Sequence, residues 1–178
     1  MLCRPVVICA PMNARSETPA SDSSRQLLRH TLATLAYRGG KALRGAPEGF
    51  AGFRVGEKTR TPGQILAHLG DLLEWGLALA QGKREWHDSP PLDWEKGTER
   101  FFAALQAFDA YLASSQPLQF PAEKLFQGPI ADALTHIGQI TMLRRLAGSP
   151  VRGENYSGAD IAAGRVGPEQ SMPAREFD

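Results

Sequence analysis

Residues 61–82, TPGQILAHLGDLLEWGLALAQG, decide the fold. Ile65, Leu69, Leu72, Leu73, Gly76 and Ala80 recur at the spacing of one helix face. Thr61 is placed to cap that helix, Pro62 takes its first position, and Gln64 completes a capping box of the Thr-x-x-Gln kind. Gly82 suits the stop.

The same period appears on both sides. Upstream, Leu28, Leu32, Leu35, Gly39 and Ala42 line one face of a helix that Ser23 or Ser24 would cap. Gly39-Gly40 either weakens its second half or lets another helix come close. Downstream, Pro90-Pro91 forbid helix, and a third helix begins near Asp93 or Gly97 with Phe101, Leu105, Phe108 and Leu112 as its stripe. A fourth is expected from about Pro129 to Ala147, stopped by Gly148-Ser149-Pro150. Between the first two helices, Phe50 and Phe53 are expected to fold back on the core. With no β pattern able to compete, the fold class is all-α, a four-helix bundle over residues 23–150. Residues 1–22 are expected as a disordered leader. Residues 151–178 are expected as an irregular tail, either disordered or packed on the bundle or a partner subunit, with room for a helical turn near Ala159–Ala163.

Composition narrows the function classes. Twenty Lys and Arg against 19 Asp and Glu leave a formal charge of +1, too balanced for an electrostatic nucleic-acid binder. No apolar run reaches the roughly 18 residues of a membrane span. Cys3 and Cys9 are not in CxxC spacing and the rest of the chain has no cysteine, which excludes a disulfide framework and a thiolate zinc site and suits a reducing cytoplasm. The apolar run Val6–Ala10 is shorter than the roughly 7–15 residues of a signal core, and Met12 offers a second start.

Four histidines are candidates for chemistry. His30 falls off the first helix's apolar face and His87 lies in a Pro-rich loop, so both are expected at the surface. His68 sits at the edge of the second helix's apolar arc. His136 lies on the fourth helix one turn after Asp132, about 6 Å along the axis, so both side chains point the same way. A carboxylate buried in a bundle needs compensation, and a divalent ion held by Asp132, His136 and His68 from the facing helix would provide it. Two imidazoles and one carboxylate leave coordination positions open, as catalytic sites do. The plainer reading is that Asp132 favours the helix dipole and the histidines bond to backbone or water. Arg144-Arg145 at the fourth helix's end read as solvated cations suited to its carbonyls in preference to an anion site, and Trp75 and Trp86 as packing residues in preference to the lining of a pocket mouth.

GQILAHLGDLLEWGLAL (63–79), followed by DALTHIGQITMLRRLAG (132–148), resembles the DinB/YfiT-like superfamily over roughly residues 24–148. There the second helix of a four-helix bundle carries a His in an AHL-type context and the fourth carries HxxxH followed by GQI. The resemblance implies His68 and His136 as metal ligands. Asp132 stands where the family has the first His of HxxxH, so zinc, nickel, iron or manganese all become candidates. It further implies a metal-dependent transferase or hydrolase acting on a small molecule, with a low-molecular-weight thiol such as bacillithiol or mycothiol as partner, in a cytoplasmic protein that pairs as a homodimer. The alternative is a non-catalytic binding or dimerisation bundle with a degenerate site.

Overall fold

The computed structural model describes residues 20–177. The chain is mostly helical. Its elements run α1 (Ala20–Leu43), a 3-10 turn (Phe50–Gly52), α2 (Pro62–Ala80), α3 (Trp94–Ala113), α4 (Ala122–Leu125), a π turn (Phe126–Ile130) and α5 (Ala131–Leu146). A second 3-10 turn (Tyr156–Gly158) lies between β1 (Gly153–Glu154) and β2 (Glu176–Phe177), which pair antiparallel. Residues 1–19 of the expected leader lie outside the described residues.

The second helix forms for the reasons its sequence announces. Gln64 N–H donates to Thr61 Oγ1 at 3.2 Å, and Thr61 N–H donates to Gln64 Oε1 at 2.9 Å. Gly82 turns the chain out of α2 at φ +83°. Asp93 caps α3 by accepting from Lys96 N–H at 2.9 Å. The four long helices pack in a closed order: α2 on α3, α3 on α1, α1 on α5 and α5 on α2. Each contributes fully buried side chains, among them Leu32 and Leu35, Leu69 and Leu73, Phe101 and Phe108, and Ile140. Such a side chain stabilises by about 1.5–3 kcal/mol on leaving water. Gly39 serves close approach: a Cβ there would sit 2.7 Å from Phe101 Cζ, so α1 and α3 meet where the side chain is missing. Phe50 is buried and Phe53 partly buried, as expected.

Three boundaries differ from the sequence reading. Helix α1 opens at Ala20, so Ser23 and Ser24 lie inside it instead of capping it. The chain is already helical at Ala122 and passes through the π turn into α5, so Pro129 lies within helix and not at its start. Proline lacks the N–H for an i→i−4 bond and its ring crowds that carbonyl; the wider π turn accommodates both. In the tail, the helical turn falls at Tyr156–Gly158, ahead of Ala159–Ala163.

The tail packs on the helices. Glu154 is buried and accepts from Tyr37 O–H and Lys41 Nζ, both at 2.7 Å, while Lys41 also pairs with Glu176 at 2.7 Å. Val166 is buried with the core. Arg144 is buried too, contrary to the reading of a solvated helix end, whereas Arg145 is exposed.

Candidate metal centre

Helices α2 and α5 bring together the three residues singled out from sequence. His68 Nε2 lies 3.7 Å from Asp132 Oδ2, and His136 Nδ1 lies 3.2 Å from Asp132 Oδ1. The two imidazole rings meet edge to face with centroids 4.7 Å apart. One donor atom from each residue falls within 4.8 Å of the others, a group that could hold a metal ion. Ligands at about 2.1 Å from a common ion stand about 3.0–3.4 Å apart in octahedral or tetrahedral arrangement. The His68 Nε2–Asp132 Oδ2 separation lies near that range and is longer than the roughly 2.7–2.9 Å of a direct charge-assisted hydrogen bond. The donor set therefore fits a divalent ion.

Burial grades across the three. The His136 side chain is 10% exposed and that of His68 18%, while the Asp132 carboxylate is 46% exposed. The group thus opens to solvent on the carboxylate's side. Burial pushes the His68 imidazole below its ordinary pKa; nearby His136 and Arg60 push the same way, against Asp132 and Asp71. A neutral imidazole is the form that ligates metal. His136 Nδ1 stands 2.9 Å from the backbone carbonyl oxygen of Asp132, one helical turn back; an N–H donated there orients the ring and leaves Nε2 as its ligating nitrogen. His30 and His87 are exposed, as expected.

The surroundings hold two tryptophans already noted in the sequence and a carboxylate anchor that was not. Trp86 stands edge-on to His68 with centroids 5.6 Å apart, and edge-on to Trp75 at 5.7 Å. Asp71, one turn beyond His68 on α2, is buried and accepts from Ser89 N–H at 3.0 Å and Arg100 Nη2 at 2.7 Å. Burial works against its charge, but these hydrogen bonds outweigh it and hold the Asp71 carboxyl below its ordinary pKa. Arg100 also grips Glu74 through two bonds, at 2.9 and 2.7 Å. A carboxylate set inside the apolar run HLGDLL was the available signal for this anchor. Gln139 is exposed and faces solvent.

Comparison with family models, with curated proteins and with solved structures gives no match to this chain.

Proposed function

We propose that this chain is a four-helix bundle of the DinB-like type that holds one divalent ion through His68, Asp132 and His136, and that it acts as a metal-dependent enzyme on a small molecule, as a thiol-dependent transferase or a hydrolase. One observation carries the reading: three side chains from two helices each bring a donor atom within 4.8 Å of the others. The order and separation of the AHL and DxxxHxGQI segments support the family assignment. Such an ion supplies Lewis acidity, the capacity to lower the pKa of a thiol or water at neutral pH.

The chain's own residues set the rest. Two neutral imidazoles and one carboxylate offset only one of the ion's two charges, so the site keeps a net positive charge that favours an anionic thiolate. The half-exposed flank of Asp132 gives a small molecule access. The closed order of α2 and α5 against α1 and α3 keeps the two histidines in fixed register.

Elemental analysis of protein purified without a polyhistidine tag tests this. Near-stoichiometric divalent metal, lost in both His68→Ala and Asp132→Ala, is the expected result. Metal-free protein whose thermal stability ignores a chelator would instead make the chain a non-catalytic binding bundle.

A further inference from the structure

We infer that Trp86 and Trp75 form one wall of the substrate subsite beside the metal centre and select small molecules, thiols included, that carry a flat apolar group. This rests on the metal-dependent reading above and adds the substrate's chemical class to it.

The placement comes from a chain of contacts around the donor set. Starting at His68, Trp86 stands edge-on at 5.6 Å, and Trp75 stands edge-on to Trp86 at 5.7 Å. Trp75 then leans over Gly128, where a Cβ would meet its ring at 3.7 Å. Gly128 is one turn before Asp132, which is one turn before His136. The two indoles thus run along the seam between α2 and the π turn, from the His68 side of the donor set toward the Asp132 side.

Packing alone does not account for Trp86. It remains 42% exposed, on an irregular segment, residues 83–93, whose neighbours Arg84, Glu85, His87 and Asp88 are all exposed. An indole left half in water beside an open group of ligands offers an edge and a face to a planar partner, an interaction of about 0.5–1.5 kcal/mol beyond area burial. The fold also holds this segment in place at a cost. Asp71 is buried as an anion, with Arg100 as counter-ion, and its other oxygen fixes Ser89 N–H, three residues beyond Trp86. Burying a carboxylate to hold a polar surface loop is explained if the loop's one indole must stay at a set position. Asp71 and Arg100 are then positioning residues, acting through Ser89.

Cobalt(II)-loaded protein tests the wall by absorbance titration, following the thiolate-to-cobalt band with two probes of similar acidity, phenylmethanethiol and 2-mercaptoethanol. The parent chain is expected to prefer phenylmethanethiol. In Trp86→Ala and Trp75→Ala that preference should fall about two- to tenfold with 2-mercaptoethanol affinity little changed, and Trp86→Phe should restore most of it. Cobalt itself should bind all of these variants alike, because indole is not a ligand. Equal probe preference in the parent chain and both alanine variants would overturn the wall while leaving the metal reading intact. Failure of the parent chain to bind cobalt would overturn the metal reading, and the wall with it.

Discussion

Arg144 shows how much one side chain can carry. From α5 its Nη1 donates to the carbonyls of Ala42 and Arg44, at 3.0 and 2.9 Å, and its Nη2 to Gly45 at 2.9 Å. Nε and Nη2 hold the backbone and hydroxyl oxygens of Ser149. Burial pulls the guanidinium below its ordinary pKa. The acceptors are neutral, and those at the end of α1 are the carbonyls a helix leaves unpaired, where its dipole is negative. Arg144→Lys keeps the charge but not the planar fork, so it should cost about 2–3 kcal/mol in urea unfolding, and Arg144→Ala more, because the carbonyls, that of Ala42 above all, lose their donors. A change within about 0.5 kcal/mol in either variant would show that water replaces the fork. From sequence, Arg144 and Arg145 looked alike at the end of one helix. What separates them is the carbonyl end of another helix about a hundred residues away, which no local pattern encodes.

Elements divide by whether their signals are local. The capping box at Thr61, the stripe through Phe101 and Phe108, and the Gly82 stop are contained within a few residues, and α2 and α3 follow them closely. The last helix starts ahead of the point its sequence suggests, because proline usually opens a helix, whereas here a π turn takes Pro129 in. Composition leaves the tail open between disorder and packing because its anchor joins distant residues: Glu154 lies 117 residues from Tyr37 and 113 from Lys41. Burial opposes the Glu154 charge, yet hydrogen bonds from Lys41 and Tyr37 prevail and depress its pKa. A depressed carboxyl contributes stability that is complete above its unfolded pKa and is lost as pH falls through the folded one. For Lys41 burial is likewise overcome, by Glu154 and Glu176, and its pKa is raised; that contribution is complete below the unfolded lysine pKa and is lost as pH rises through the folded one. Limited proteolysis should therefore find the tail protected at neutral pH and released below the ordinary carboxylate range. Glu154→Gln should release it already at pH 7, at a cost of about 2–4 kcal/mol. A tail equally protected in that variant would show that the apolar contacts of Val166 hold it instead.

Across the whole molecule, the apolar pattern made the helices legible, and the helical repeat placed Asp132 and His136 on one face. His68 came in as a third ligand supplied from the edge of the facing helix's apolar arc, a choice the resemblance supported, and α2 does pack on α5. The Asp71–Ser89 link and the placement of Trp86 against His68 could not be read, since an irregular loop has no period to say where it folds. No helix of the described residues is long and apolar enough to cross a membrane. What decides the function is whether the three donors bind one ion together. Calorimetric titration of zinc or nickel into chelator-stripped protein should give one site per chain, abolished separately by His68→Ala, Asp132→Ala and His136→Ala while each variant keeps its helical circular dichroism. Binding that survives in all three variants, or no binding in the parent chain, would contradict it.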